Sequence, residues 1–308
     1  MSGRHPMVHR DPALPRRVTV YEVGARDGLQ AESALVPSTA KIDFISRLRA
    51  AGLPWVEATS FVSSRRIPQL ADAAEVLAGL RTDLEAHPVL VPNLRGLERA
   101  RAAGARTIAV FVSATESFAR RNLNAGRDDS LETARRVVEE ASGEGMRVRG
   151  YVSMCFGDPW EGEVAVDEVA SVSRSLLDSG CAEISLGDTI GVGTAGHVAE
   201  LVAAHGRAGI GPELLALHFH DTYGQALANV AAGLRSGVTC FDASAGGIGG
   251  CPFAGSATGN LATEDLLWML SGLGIETGVD LDEVVAAGAM MTDLLGRPRS
   301  RVATALLG

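Results

Sequence analysis

One pattern constrains this 308-residue chain more than any other: a short, apolar, β-branched run followed by an amphipathic helical segment, repeated eight times. The runs are 18–23, 55–58, 88–91, 107–112, 147–152, 182–186, 214–218 and 238–243. Short, largely apolar runs suit strands covered on both faces, as in a parallel sheet wrapped by helices. The segments between them carry helix start and stop signals. Ser38 opens a helix that buries Ile42, Ile45 and Leu48 and stops at Gly52. Ser130 opens another through Leu131, Ala134, Val138 and Ala141, closing near Gly143. Val169, Val172 and Leu176 precede Gly180, and Leu227, Val230 and Leu234 precede Gly237. A hydroxyl at the start and a glycine at the end satisfy the unpaired backbone groups of each helix. Eight such units predict an α/β protein, a (β/α)8 TIM barrel, with extra C-terminal helices over 281–287 and 290–295. An open doubly wound sheet fits less well, because the first run leads into Arg-Asp-Gly-Leu-Gln rather than a glycine-rich phosphate turn. Residues 1–16 have no apolar stretch and are read as a disordered leader, leaving 17–308 as a single catalytic domain.

Charge and cysteine usage narrow the partners. The formal net charge is −9 with no block of like charges, which argues against a nucleic-acid surface. No apolar run reaches the roughly 20 residues that cross a bilayer, so no membrane role is expected. Cys155, Cys181, Cys240 and Cys251 are far apart with no CxxC pair, as reduced thiols of a cytoplasmic protein would be.

In such barrels the chemistry sits at the C-terminal ends of the strands. The seventh run ends in His218-Phe219-His220-Asp221, and strand alternation puts both imidazoles on one face. They are half of a metal site or a pair of hydrogen-bonded histidines. The first run ends in Glu22-Val23-Gly24-Ala25-Arg26-Asp27-Gly28, where Asp27 offers a hard oxygen and Arg26 a permanently charged oxyanion partner. After the eighth run comes Gly246-Gly247-Ile248-Gly249-Gly250-Cys251-Pro252, a loop free to change shape with a thiol at its tip, suited to acid/base or nucleophilic work. Asn260 adds a neutral oxygen and Glu264 a supporting carboxylate. Glu57 and Asp188 are charges where a barrel core ends, so each is an ion-pair partner of Arg26 or a catalytic group.

Together, EVGARDGLQ (22–30), VEATSFVSSRRIPQ (56–69), RGYVSMCFGDPWEG (149–162), EISLGDTIGVGT (183–194), HFHDTYGQALAN (218–229), GGIGGCPFA (246–254) and TGNLATEDL (258–266) resemble the 3-hydroxy-3-methylglutaryl-CoA lyases of the metal-dependent lyase and condensing-enzyme superfamily. The resemblance implies cleavage of that acyl-CoA to acetoacetate and acetyl-CoA with Mg2+ or Mn2+, Zn2+ fitting less well, and a homodimeric assembly. It implies Asp27, His218, His220 and Asn260 as metal ligands, Arg26 as stabiliser of the acetyl-CoA enolate and Cys251 as its proton donor. Glu57 and Glu264 would be supporting acids, and Asp188 would lie near the substrate. The base that takes the hydroxyl proton is a metal-bound water, Asp27 or a histidine. The chain departs from human-like members of that family at Met154–Asp158, where they carry a second cysteine-rich patch, and at Phe219 and Phe253, where they carry small residues; a longer-branched 3-hydroxyglutaryl-CoA analogue is therefore an alternative substrate. Claisen-type synthases share the RDG and HxH motifs but end their last strand in a Glu-Arg-Ala-Gly-Asn run rather than the cysteine loop. Charge and loop position nominate Arg65, Arg66, Arg120 and Arg121 for the CoA phosphates.

Overall fold

The computed structural model describes residues 5–80, 83–250 and 259–308. Among them are nine parallel strand segments: β1 (Thr19–Glu22), β2 (Trp55–Val56), β3 (Thr59–Ser60), β4 (Val89–Leu90), β5 (Thr107–Ser113), β6 (Arg147–Ser153), β7 (Glu183–Asp188), β8 (Leu215–Phe219) and β9 (Cys240–Ala243). Their order is β2-β1-β9-β8-β7-β6-β5-β4-β3. The two end members, β2 and β3, are halves of one predicted run, separated only by Glu57 and Ala58. Across that break the Glu57 N–H donates to Glu22 O at 2.8 Å and the Ala58 N–H to Pro88 O at 2.9 Å. The run thus pairs with β1 through its first half and with β4 through its second, which closes the sheet into the expected (β/α)8 barrel.

The outer layer is α1 (Ser38–Ala50), α2 (Ala73–Gly79), α3 (Leu94–Ala102), the single turn α4 (Glu116–Phe118), α5 (Arg127–Gly143), α6 (Val166–Asp178), α7 (Ala195–Arg207), α8 (Ala226–Arg235), α9 (Thr263–Gly272), α10 (Leu281–Leu295) and α11 (Arg301–Leu307). One cap and two predicted boundaries differ. The first helix begins at Ser38 as expected, but the Ser38 hydroxyl does not cap it and donates to Asp72 instead, at 2.9 Å. The second predicted helix, α5, begins three residues before Ser130, because the Glu116 carboxylate accepts from the Arg127 N–H at 2.6 Å and caps it from a distance. The two tail segments merge into α10, and α11 follows. Of the expected leader, the described part lies against α9, with the His9 N–H donating to Gly272 O at 2.8 Å and Leu14 buried.

The strands are most uniformly apolar on the face turned to the helices. Val148, Val152, Leu215, Leu217, Phe219 and Phe241 belong to the main core beneath the helices. Alternate positions face into the barrel, where small apolar groups (Tyr21, Val23, Ala216 and Cys240; Leu90, Ala109 and Tyr151) flank a layer of charge. At its centre the Arg149 guanidinium lies 3.8 Å from the Tyr21 ring centre and 5.0 Å from that of Tyr151. No described helix is long and apolar enough to cross a membrane.

Candidate active site

Three backbone devices bring distant residues together at the barrel mouth. After β1 the chain makes one wide turn in which the N–H groups of Arg26, Asp27 and Gly28 all donate to Val23 O, at 3.2, 2.8 and 3.2 Å. Beyond β8 the segment around Asn260 is laid against the end of the strand, with Leu261 N–H donating to Phe219 O at 3.0 Å and Asp221 N–H to Gly259 O at 3.2 Å. That pairing sets Asn260 opposite His220. The β8 alternation aims His218 and His220 the same way, their ring centres 5.2 Å apart.

As a result, donor atoms of Asp27, His218 and His220 all lie within 4.8 Å of one another. Asn260 joins them: its Nδ2 donates to Asp27 Oδ2 at 3.0 Å and to Ile248 O at 3.1 Å. With both amide protons engaged, Asn260 Oδ1 is left buried without a hydrogen-bond partner among the described residues, as is His220 Nδ1. Buried polar atoms are rarely left this way, and Asn260 Oδ1 and His220 Nδ1 together at one carboxylate–imidazole cluster fit a cation that would satisfy them. Protonation fits as well. Burial works against the Asp27 charge, but Arg26, His218 and His220 outweigh it and hold the carboxyl down at about 2. Burial and the neighbouring His218 push His220 down to about 4, leaving its imidazole neutral. Ligand atoms that are free of protons are what a cation requires.

Arg26 ties this cluster to the charge layer. Its Nε donates to Glu57 Oε2 at 2.8 Å and its Nη1 to Asp27 Oδ1 at 2.7 Å. The Tyr151 hydroxyl also donates to Glu57 Oε2, at 3.0 Å, and accepts from Arg149 Nη1 at 3.0 Å. Arg149 reaches on to Glu183 at 2.8 Å and to Asp242 Oδ1 at 2.6 Å. Asp242 Oδ2 accepts from the Ser185 hydroxyl at 2.8 Å and lies 3.3 Å from His218 Nδ1. One buried polar chain therefore runs from Asp27 round the barrel interior and back to His218. Burial depresses the His218 pKa, but Asp242 and Asp27 outweigh it and leave it raised. The same balance, with Glu57 and Asp27 as the carboxylates, keeps Arg26 charged.

Sequence reasoning missed Arg149, Tyr151, Asp242 and Ser185; their one signal was polar residues at alternate positions within largely apolar runs. It also missed Glu22, whose buried carboxylate accepts from the Thr263 hydroxyl at 2.6 Å and the Ala245 N–H at 3.0 Å.

Other expected residues sit apart from the cluster. Arg26 pairs with Glu57 but not with Asp188, whose carboxylate accepts the N–H groups of Val192 and Gly193 at 2.9 and 3.0 Å. Burial lifts Asp188 to about 6 despite those bonds. Glu264 lies under the glycine run and accepts the Gly246 N–H at 2.8 Å, burial lifting it to about 8. Cys251 and Phe253 lie outside the described residues. Phe219 faces the helices and packs on Phe156, ring centres 5.9 Å apart, so it does not border the mouth. Cys155, Cys181 and Cys240 are free, buried thiols.

A cavity of about 620 Å³ opens over the cluster, lined by Arg26, Asp27, Tyr151, His218 and His220 at its floor and by Arg66 and Asn122 further out. Of the four arginines nominated for phosphates, only Arg66 lines it. Arg120 is paired with Glu116 at 2.6 Å, and Arg121 lies 4.4 Å over the Trp160 ring.

Comparison with known proteins identifies the family and agrees with the fold. A family profile described as HMGL-like matches residues 17–291. The zebrafish (Danio rerio) protein named 3-hydroxy-3-methylglutaryl-CoA lyase, cytoplasmic, is 51% identical over 290 residues, covering 93% of this chain and 85% of that protein. Relatives of similar identity carry mitochondrial names. The crystal structure of hydroxymethylglutaryl-CoA lyase from Pseudomonas aeruginosa superposes with a TM-score of 0.92 at 48% identity, over 96% of this chain and 99% of that one. A lyase from Acinetobacter baumannii, solved with coenzyme A and 3-methylmalate, gives 0.89 at 38% identity, over 96% and 97% of the two chains.

Proposed function

The chain belongs to the HMGL-like family, and from that premise we propose that it cleaves 3-hydroxy-3-methylglutaryl-CoA to acetoacetate and acetyl-CoA at the Asp27–His218–His220 cluster. The observation that carries this reading is the convergence of those three donors with the unpartnered Oδ1 of Asn260 beneath a cavity, in a chain about half identical to named lyases.

The reaction removes the proton of the C3 hydroxyl and breaks C2–C3. The bonding pair is left on the thioester as an enolate, and a proton is returned to C2. A bound Mg2+ or Mn2+, held by Asp27, His218, His220 and Asn260, would supply the Lewis acidity that makes the hydroxyl acidic. Arg26 faces the cavity from the side of that cluster. Its Nε and one Nη1 proton are committed to carboxylates, so its orientation is fixed and the remaining N–H groups, both of them on Nη2 and one on Nη1, are left for substrate. A preorganised cation of this kind stabilises the enolate oxygen as charge develops and has no solvent to reorganise. Glu57 and Asp27 hold the guanidinium in place. Cys251, which follows Gly250 directly in the sequence, is assigned the proton returned to C2. Arg66 at the outer end of the cavity is assigned to the CoA phosphates. Residence in the cytoplasm rests on the zebrafish relative, and a homodimer on the family resemblance.

A coupled assay for acetoacetate tests the activity, with and without Mn2+ and with longer-branched analogues run alongside. Robust turnover of the methyl substrate is expected. Free thiol released from acetyl-CoA and a 2-oxoacid, with no acetoacetate from the methyl substrate, would overturn lysis in favour of condensation.

A further inference from the structure

The glycine run after β9 is held from outside the cavity by two residues that belong to neither the cluster nor its charge layer. Glu32, four residues beyond Gly28, accepts the Gly249 N–H on Oε1 at 3.2 Å. Arg297 forms an ion pair with the same Oε1, and its Nη1 lies 3.5 Å from Gly249 O. Arg297 is aimed there by the end of α10, where Gly296 turns left-handed at φ 64° and the Arg297 N–H closes the cap on Thr292 O at 2.9 Å. The Glu32 side chain is only 11% exposed, and neither residue lines the cavity.

Gly249 is wedged between Asn260 and the turn that carries Asp27. A Cβ built on it would come within 2.8 Å of both Asn260 Nδ2 and Gly28 Cα, and one on Gly28 would meet Ile248 at 2.7 Å. The neighbouring Ile248 carbonyl accepts the Asn260 amide and the Ser244 hydroxyl, at 3.1 and 2.9 Å. Ile248 O and Asp27 Oδ2 hold the two Asn260 amide protons, which leaves the buried Oδ1 as the end of the amide without a partner among the described residues. The backbone at 248–249 therefore supplies one of the two contacts that set the orientation of the Asn260 amide beside Asp27.

We propose that Glu32 and Arg297 act as a clasp on Gly249, and that through Ile248 they position Asn260 for a divalent cation. Both are positioning residues. The inference rests on the divalent-cation reading of the cluster.

The test uses the full chain with Glu32→Gln, Arg297→Ala and the conservative Arg297→Lys. Mn2+ itself is the probe, its binding followed by electron paramagnetic resonance, alongside backbone hydrogen exchange of peptides spanning 244–250. Loss of a group that orients a metal ligand typically costs 10–100-fold in affinity. We expect Glu32→Gln and Arg297→Ala to weaken Mn2+ binding about tenfold and to speed exchange in 244–250. They should lower kcat by a similar factor while KM for the acyl-CoA moves little. Arg297→Lys, which keeps the charge, recovers most of the affinity and shows the effect is not misfolding. Unchanged Mn2+ affinity in well-folded variants, with or without faster exchange, overturns the clasp. A wild type that binds Mn2+ but lacks lyase turnover refutes the proposed reaction, while the variants' binding constants still decide the clasp. A wild type that binds no Mn2+ overturns both.

Discussion

Asp242→Asn separates the two tasks of the buried charge layer. Asp242 is fully buried on β9, with Oδ1 on Arg149 and Oδ2 accepting from Ser185 and lying 3.3 Å from His218 Nδ1. Asparagine keeps the shape and removes the charge. Breaking a buried ion pair by removing one partner costs about 3–5 kcal/mol. Arg149 retains Glu183 at 2.8 Å, so the loss should fall near the lower figure. That corresponds to a drop in melting temperature of about 6 °C in a chain of this size. The second effect is on the cation. A carboxylate on the far nitrogen of a ligating imidazole fixes its orientation and raises its basicity, and losing it costs 10–100-fold in metal affinity, about 1.4–2.8 kcal/mol. The pH dependence carries the sign. Asp242 helps raise the His218 pKa, so as pH falls a proton competes with the cation for that ring. The asparagine variant lowers the pKa again, and its deficit should be largest in mildly alkaline buffer and should narrow as the pH approaches 6. Isothermal titration with Mn2+ across about pH 6–8.5 reads this directly. A deficit that widens on acidification, or an unchanged Kd throughout, would refute the role given to Asp242.

Arg26→Gln should lower kcat about 10²–10³-fold, about 3–4 kcal/mol, with a smaller change in KM, since the loss is of charge developed in the transition state; kcat within threefold of wild type would remove Arg26 from the reaction. Exhaustive chelation should abolish acetoacetate formation, and Mn2+ at about 100 times its Kd should restore it and add about 2.7 kcal/mol of stability, read as a rise in urea midpoint. Cys251→Ser should depress kcat severely while leaving the melting temperature and Mn2+ affinity in place; retained turnover would reassign the proton donor. Glu264 gives a pH prediction. Its folded pKa is raised to about 8, so the native state keeps its proton where the unfolded state has lost it, and stability present below about pH 4.5 drains away as pH rises toward 8. Glu264→Gln, neutral throughout, should flatten that fall by a few kcal/mol, leaving the share due to Glu22, raised to about 7; an equally steep fall in urea-unfolding curves would show that Glu264 is ionised in the native protein.

What could be read from sequence was whatever local periodicity and punctuation encode. The eight strand–helix units, the shared face of His218 and His220, and the placing of Asp27 and Arg26 at a strand end all follow from side-chain direction over a few residues. The misses share a cause. Arg149, Tyr151 and Asp242 stand in short runs read mainly for their apolar residues, and averaging over the run hides that every second position points into the barrel. Only closure of the sheet makes those positions one layer, since Arg149 and Asp242 are 93 residues apart yet bonded at 2.6 Å. Closure also decides partners: Arg26 was equally compatible with Glu57 and Asp188, and the split of the second strand at Glu57 delivers that carboxylate to it while Asp188 is taken up by its own loop. The helix boundaries that moved did so for the same reason, Glu116 capping α5 from eleven residues upstream where a local rule looks for a serine. A (β/α)8 barrel of ordinary apolar interior would need none of this charge. Burying Glu57, Arg26, Arg149 and Asp242 carries a desolvation penalty that mutual pairing only offsets. A chain that keeps them in one connected network ending on Asp27 and His218 has accepted that penalty where it fixes two candidate ligands, and this makes the network itself evidence for the site.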